Sequence, residues 1–238
     1  MPRVSIVIPT KNEEKLLPNL LKSIKGQTFS DYEIIVADAH STDRTLEIAM
    51  SFGARVVEGG MPGPGRNRGA LHATGDIIVF FDADVEMPSP KFLEECLAEM
   101  KEKDLDMATC LVKPITDRKT DKALHAAYNA YIKLWEKVLP HAPGFCLFVR
   151  RDAHHGVNGF DEKIVLSEDF DYVQRANKQG YKFGILRSHP IHASVRRLDK
   201  EGRLGIVMKY AVAETYMLTR GAIKKELFEY EMGGEEKK

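Results

Sequence analysis

The first half of the chain alternates short apolar runs with amphipathic segments. Apolar runs of about five residues predict buried strands, and apolar residues repeated every three or four positions predict helices. The predicted strands are 4–8, 33–37, 54–57 and 77–81, and the predicted helices between them are 13–24, 43–52 and 66–73. This alternation predicts an α/β protein with a mostly parallel central sheet and right-handed crossovers.

The second half is less regular. Its predicted helices are 90–103, 121–138, 168–179 and 204–219, and its predicted strands are 107–112, 145–149 and 181–186. A polar tail at 233–238 is expected to fray. We therefore divide the chain into segments 1–112 and 113–200, the two halves of one domain, and segment 201–238, an amphipathic helix with the tail.

Composition narrows the range of partners and compartments. The chain has 35 Lys or Arg and 35 Asp or Glu, and this zero net charge argues against a nucleic-acid partner. Three widely spaced cysteines (Cys96, Cys110 and Cys146) predict neither a disulfide framework nor a zinc site. We find no signal peptide and no apolar run near the ~18 residues that span a bilayer, so a cytoplasmic location is expected.

The apolar strand at 77–81 ends in Asp82-Ala83-Asp84. Residues i and i+2 of an extended chain project to the same side, so the two carboxylates converge. Mg²⁺ and Mn²⁺ prefer such oxygen ligands and often share them with substrate phosphates. Ligands of open α/β sheets bind at the carboxyl ends of strands, and we predict a metal site here.

Four other polar segments follow strands or open helices. They are 9–14 (PTKNEE), 38–43 (DAHSTD), 66–69 (RNRG) and 168–169 (ED). Guanidinium groups at a helix start attract a diphosphate, and a carboxylate beside a reacting hydroxyl acts as a general base. Each segment also has a simpler interpretation, because Asn12, residues 41–43 and Ser167 are typical helix caps and arginines at a helix start are often only solvated.

Taken together, these segments resemble family 2 glycosyltransferases. The opening run 4–14, segments 38–43 and 66–69, and Asp82-Ala83-Asp84 resemble the donor half of that family. Residues 157–162 (VNGFDE), 168–169 and 180–181 resemble its acceptor half. The similarity spans roughly residues 3–195 in the family's order and spacing. It implies a GT-A fold, in which a Rossmann-like, mostly parallel sheet is flanked by helices and joined to a smaller acceptor-side subregion.

The resemblance also implies a hexosyltransferase-type enzyme that inverts the anomeric carbon of a nucleotide-diphosphate sugar. Segment 1–112 would bind the donor and segment 113–200 the acceptor. The residues implied to hold the nucleoside are Pro9, Thr10, Glu13 and Asp38. Asp82 would reach the ribose or the sugar, Asp84 would ligate Mn²⁺ or Mg²⁺ on the diphosphate, and Arg66 is a further diphosphate candidate. Asp169 would be the base, with Glu168 beside it.

Two features depart from the family pattern, and one histidine is a further candidate. Asp38 is followed by Ala39-His40, where the family commonly has Asp or Gly. The Gln-x-x-Arg-Trp segment of processive synthases is absent and Trp135 is the only tryptophan, so we expect transfer of one or a few sugars. His192 stands where family members often complete the metal shell, although a single histidine in a strand is often structural.

The sequence is compatible with several partners on the acceptor side. Arg196-Arg197 would grip a phosphate or would be a solvated pair. The apolar face of the predicted helix 204–219 favours core packing or a homodimer, with peripheral membrane contact as the alternative. The acceptor itself is a glycan, a lipid-phosphate or a small molecule.

Two other function classes are weighed against transfer. A nucleotidyltransferase that makes sugar nucleotides would need a glycine-rich basic loop after the first strand, and residues 9–14 lack one. A non-catalytic binder of sugar nucleotides would have lost its base, and the presence of both Asp84 and Asp169 speaks against that loss.

Overall fold

A computed structural model describes residues 3–224 and Gly233, so the rest of the predicted tail at 233–238 lies outside the described residues. The described strands are β1 (Val4–Thr10), β2 (Tyr32–Asp38), β3 (Arg55–Glu58), β4 (Ile77–Phe81), β5 (Val85–Glu86), β6 (Met107–Pro114), β7 (Cys146–Arg150) and β8 (Phe183–Ala193). The described helices are α1 (Leu17–Lys25), α2 (Thr45–Ser51), α3 (Pro62–Leu71), α4 (Phe92–Glu102), α5 (Lys119–Trp135), α6 (Arg151–Gly156), α7 (Glu168–Lys178), α8 (Arg196–Glu201) and α9 (Arg203–Arg220).

The eight strands form one sheet in the order β3-β2-β1-β4-β7-β6-β8-β5. The first four strands run parallel, as the alternating pattern predicts. β7 runs antiparallel to both β4 and β6, and β5 runs antiparallel to β8, so the sheet as a whole is mixed. The boundary drawn at residue 112 lies inside β6, and the two halves of the domain share this sheet.

Helices cover both faces of the sheet. On one face α1 buries Leu17, Leu20, Leu21 and Ile24 against alternate residues of β1 and β4. On the other face α7 buries Tyr172, Val173 and Ala176. A fully buried side chain of this size contributes about 1.5–3 kcal/mol, so the two apolar faces of the sheet hold the layers together. None of the helices in the described part of the chain has the length and apolar character that a membrane crossing needs.

The carboxyl ends of β1, β2 and β4 meet at one edge of the sheet. The parallel register places Pro9 opposite Ala37 and Thr10 opposite Asp38. The loop after β1 differs from its predicted role, because α1 begins only at Leu17 and Asn12 does not cap it. Instead, Asn12 adopts a left-handed backbone (φ 52°), and its Oδ1 accepts from the N–H of Thr42 at 2.8 Å. The two loops that frame this edge are therefore tied to each other.

Gly69 lets α3 approach the sheet. A Cβ added at Gly69 would lie 2.3 Å from Cγ1 of Val7 in β1. We expect Gly69→Ala to lower the free energy of unfolding by about 1–3 kcal/mol, although alanine favours a helix, because the core would be overpacked. Gly205→Ala in α9 is the control: no described atom lies within 4 Å of its added Cβ, and we expect a gain of about 0.5 kcal/mol. Urea unfolding of the two variants measures both effects, and a loss at both positions would contradict the close approach.

Candidate functional site

The nucleoside candidates Thr10 and Asp38 are buried and joined to each other. The Thr10 hydroxyl donates to Oδ1 of Asp38 at 3.0 Å. Oδ2 of Asp38 accepts from the backbone N–H of Ser41 at 2.8 Å, and His40 between them has a left-handed backbone (φ 58°). Ser41 thus orients Asp38 and does not cap α2. Asp43 is not the cap either, because the N-cap position of α2 is Arg44, which makes no side-chain cap; Oδ1 of Asp43 accepts from the N–H of Thr45 at 2.9 Å from the preceding position.

Arg196 joins two of the predicted site residues. Its Nη1 and Nη2 donate to both carboxylate oxygens of Glu13 at 2.7 and 2.6 Å, and its Nε donates to Oδ2 of Asp84 at 3.0 Å. Burial raises the pKa of Glu13, and the charge of Arg196 opposes that rise. Burial also raises the pKa of Asp84, with the charge of Asp82 adding to the effect and that of Arg196 opposing it. One arginine therefore holds two carboxylates that burial would otherwise favour in the neutral form.

A second arginine, Arg66 of α3, joins two more site residues. Its Nη2 donates to Oδ1 of Asp82 at 2.8 Å and its Nη1 to Oε1 of Glu168 at 2.7 Å, while only 3% of its side chain is exposed. Burial alone lowers the pKa of Arg66, but the charges of Asp82 and Glu168 outweigh burial and raise it. The guanidinium also lies 5.5 Å from the centroid of the Phe160 ring, a cation–π distance. Arg66 thus connects the end of β4 to the start of α7.

Asp169 lies in the first turn of α7, beside Glu168. Its Oδ2 accepts from the backbone N–H of Gly144 at 2.7 Å. Burial and then the charge of Glu168 raise the pKa of Asp169 to about 6, although Arg66 opposes that rise. The predicted cap at Ser167 is wrong, since this residue makes no side-chain cap and has a left-handed backbone (φ 60°). That backbone turns the chain so that the two acids follow it directly.

Gly144 contacts two of the candidate site residues, although no sequence signal identifies it. A Cβ added there would lie 2.6 Å from Nη2 of Arg66, so only glycine permits the observed approach. Its N–H at the same time binds Asp169. The sequence indicates Arg196 as a phosphate candidate, but its contacts with Glu13 and Asp84 connect distant segments that no local pattern relates.

Of the two predicted metal ligands, Asp84 lies in the turn between β4 and β5, and His192 lies in β8, which pairs with β5. Asp84 follows β4, and its backbone oxygen accepts from the N–H of Ser194 at 2.9 Å. His192 lies two residues before Ser194 in β8, in register with Glu86 on one side and Lys113 on the other. Burial, followed by the charge of Lys113, lowers the pKa of His192. A neutral imidazole is the form that binds metal, and the role of His192 as a ligand stays a prediction.

The carboxylates Asp82 and Asp84 have the chemistry that a hard cation requires. Within residues 3–224 no three His, Cys, Asp or Glu side chains are arranged to hold a metal ion by themselves. Arg66 contacts one oxygen of Asp82, and Arg196 contacts one oxygen of Asp84, which leaves each carboxylate a second oxygen outside these ion pairs. Such a pair fits Mg²⁺ or Mn²⁺ that takes its remaining ligands from substrate phosphates and water.

Several known proteins share this sequence pattern. Glycosyltransferase AglE of Haloferax volcanii is 26% identical over 221 residues, which are 86% of this chain and 72% of that protein. A poly(ribitol-phosphate) beta-glucosyltransferase of Bacillus spizizenii is 33% identical over 207 residues, 82% of this chain and 32% of that protein. A 4,4'-diaponeurosporenoate glycosyltransferase of Staphylococcus haemolyticus is 41% identical over 100 residues, 38% of this chain and 26% of that protein. The chain therefore covers less than two thirds of the length of the second and third of these relatives.

Solved structures share the fold. TarS 1-349 of S. aureus in complex with UDP-GlcNAc superposes with a TM-score of 0.66 at 22% identity, over 81% of this chain and 58% of that chain. The mannosyltransferase PcManGT of Pyrobaculum calidifontis, in complex with GDP-Man and Mn²⁺, gives 0.68 at 20% identity, over 90% and 64%. The expected GT-A fold is confirmed. Residues 5–157, more than half of the chain, match the profile described as Glycosyl transferase family 2, and the chain belongs to that family.

Proposed function

We propose that the protein transfers a sugar from a nucleotide-diphosphate sugar to an acceptor hydroxyl, with Asp169 as the base. One observation carries this proposal: Arg66 forms ion pairs with Asp82 at the end of β4 and with Glu168 at the start of α7. These ion pairs connect the end of β4 with the start of α7, which are far apart in the sequence, and so support a single site that contains Asp82, Asp84 and the candidate base. The family's named glycosyltransferases support this reading.

The donor would lie across the carboxyl ends of β1, β2 and β4. Thr10 and Asp38 present buried oxygens for the nucleoside, and Pro9 lines the same strand end. The diphosphate would reach Asp82 and Asp84, where Mn²⁺ or Mg²⁺ would be held. When bound, such a cation stabilises negative charge on the departing diphosphate. PcManGT, which has the same fold, is crystallised with GDP-Man and Mn²⁺.

Asp169 would take the proton of the acceptor hydroxyl. Its pKa of about 6 leaves it ionised at neutral pH and makes it a stronger base than an ordinary aspartate. The N–H of Gly144 fixes one of its oxygens. The activated hydroxyl would attack the anomeric carbon in a single displacement, on the side opposite the leaving diphosphate, and the configuration would invert. Arg66 donates to Glu168 at 2.7 Å and engages that carboxylate, which leaves the neighbouring Asp169 as the group that would exchange the proton.

Thermal denaturation with sugar nucleotides tests the donor part of this proposal. We expect one class among UDP-, GDP- and dTDP-sugars to raise the Tm in the presence of Mn²⁺. A ligand at a hundred times its Kd stabilises a fold by about 2.7 kcal/mol, which for a domain of this size is a rise of roughly 5–10 °C. Asp84→Asn should abolish the ligand-dependent part of the rise, whatever its effect on the Tm of the free protein.

Asp117→Asn is the matched control, because Asp117 is fully exposed and its carboxylate lies 3.4 Å from Lys122, a weak and exposed ion pair. It should keep the whole ligand-dependent rise. No rise with any of the three classes, or a rise of equal size in a metal chelator and in Asp84→Asn, would contradict the donor and metal assignments.

A further inference from the structure

Helix α9 exposes an uncharged stripe along its whole length. Between residues 204 and 219 every exposed side chain is apolar, small or an uncharged hydroxyl. The large apolar members of the stripe are Leu204, Val207, Met208, Val212 and Leu218, each of them between 47% and 73% exposed. Single exposed apolar residues are common on protein surfaces, but contiguous apolar patches are not. An exposed apolar stripe of this length therefore indicates that the helix contacts another apolar surface.

Helix α5 lies beside α9 and runs in the same direction. Near the start of both helices, Asp121 of α5 accepts from Arg203 of α9 at 2.9 Å. Further along both helices, Tyr131 of α5 donates to Glu214 of α9. One turn beyond Tyr131, the chain exposes Leu134 and Trp135, followed by Val138. We call the exposed apolar side chains at the end of α5 and just after it, together with those of α9, the α5–α9 face; they are Leu134, Trp135, Val138, Leu204, Val207, Met208, Val212 and Leu218.

The surroundings of the α5–α9 face are basic in a chain that is neutral overall. Apart from Arg196, which contacts Glu13 and Asp84 in the candidate site, helices α5, α8 and α9 contain eight Lys or Arg and four Asp or Glu, whereas the whole chain contains 35 of each kind. The charged side chains that α5 exposes are Lys119, Lys122 and Lys133, and its one acid, Asp121, is fully buried. Lys122 also lies 3.4 Å from the exposed Asp117, whereas an exposed apolar face on helices with an excess of basic residues has the composition of helices that lie in the interface of an anionic membrane.

We propose that the α5–α9 face docks the protein on a lipid bilayer that contains anionic lipid. The exposed apolar residues would enter the headgroup boundary, and the lysines of α5 would contact lipid phosphates. A second copy of the chain fits this face less well, because a symmetric dimer brings the same surface patch onto itself and so opposes two basic borders. Trp135 has the amphipathic ring that partitions to such interfaces.

The docked orientation keeps the candidate active site beside the bilayer. Arg197 of α8 donates to the Tyr210 hydroxyl of α9 at 2.8 Å, and the preceding residue, Arg196, contacts Glu13 and Asp84. An acceptor held in the membrane would thus meet the site at its edge. The docking surface itself does not depend on the proposed transfer, and its test uses no sugar nucleotide, so either proposal can fail alone.

Trp135 is the only tryptophan of the chain and reports directly on the face. We expect its fluorescence to shift to shorter wavelength when vesicles of phosphatidylcholine with phosphatidylglycerol are added, and to stay unchanged with phosphatidylcholine alone. Co-sedimentation with the same vesicles measures the partition coefficient. Raising the salt concentration should lower that coefficient several-fold, because exposed charges are screened within about 10 Å at 0.1 M salt.

Met208→Glu combined with Val212→Glu should lower the partition coefficient by about tenfold or more, since two apolar contacts become charged. Met50→Glu combined with Leu71→Glu, at apolar positions that are 60% and 77% exposed on other helices, should leave it unchanged. Both double variants should have the wild-type Tm. Binding to neither type of vesicle, an equal loss in both double variants, or a lipid-free dimer that only Met208→Glu/Val212→Glu dissociates would overturn the proposal.

Discussion

Asp169→Asn is expected to lower kcat by about 10²–10⁴-fold, the usual contribution of a general base. The amide keeps an oxygen that accepts from the N–H of Gly144, so the first turn of α7 should retain its shape. Donor binding, read from the ligand-dependent rise in Tm, should stay within about twofold of wild type. The rate is measured as nucleoside diphosphate released from the sugar nucleotide that raises the Tm.

The same carboxyl should set the acid limb of the pH profile. Below pH about 6 Asp169 takes up a proton and can no longer accept one, so log kcat/KM should rise with a slope of one up to that pH. Stability changes in the opposite direction. The pKa of Asp169 in the folded protein lies above its ordinary value of 3.8, so ionisation costs stability as the pH rises from about 4 through 6. Asp169→Asn should therefore be more stable relative to wild type at pH 8 than at pH 4.

Asp171→Asn is the control on the same helix. Asp171 also lies in the first turn of α7, but its carboxylate pairs with Arg175 at 2.7 Å. We expect its kcat to stay within about twofold of wild type and its pH profile to be unchanged. If Asp169→Asn turns over at the wild-type rate, or if the acid limb persists in that variant, Asp169 is not the base.

Strong local signals made part of this molecule predictable. β4 occupies residues 77–81 as predicted, because five apolar residues lie between polar neighbours. The edge at which Thr10 and Asp38 meet follows from the parallel register of two strands that the sequence separates by one helix. Helix α7 and its two leading acids are also where the pattern places them.

Other features depend on contacts that no local pattern records. The apolar run of β7 predicts a strand but not its direction, and its antiparallel placement between β4 and β6 is decided by the path of the chain after α5. α6 and α8 have six residues each, too few for a helical period to emerge. The ion pair between Arg196 and Glu13 joins residues 183 positions apart. The partners of such buried charges are set by the three-dimensional fold, so the local sequence does not predict them.

Arg66→Gln is expected to lower the free energy of unfolding by about 3–5 kcal/mol, the cost of removing one partner from a buried ion pair. Asp82 and Glu168 would lose their shared cation, and the 14% exposed side chain of Glu168 has little water to replace it. For a domain of this size the loss corresponds to a fall in Tm of roughly 10 °C. Unfolding in urea, with the Tm as a second measure, checks the prediction.

Arg68→Gln is the matched control, two residues along the same helix. The side chain of Arg68 is 44% exposed, donates to the backbone carbonyl of Gly59 and lies 3.4 Å from an exposed Glu58; because water can replace these contacts, its loss should cost about 1 kcal/mol. Adding Glu168→Gln to Arg66→Gln should restore part of the lost stability, because it removes the stranded charge. Arg66 also opposes the rise in the pKa of Asp169, so whatever activity Arg66→Gln retains should show its acid limb above pH 6. Equal losses in Arg66→Gln and Arg68→Gln would mean that the buried arginine does not join the two halves of the site.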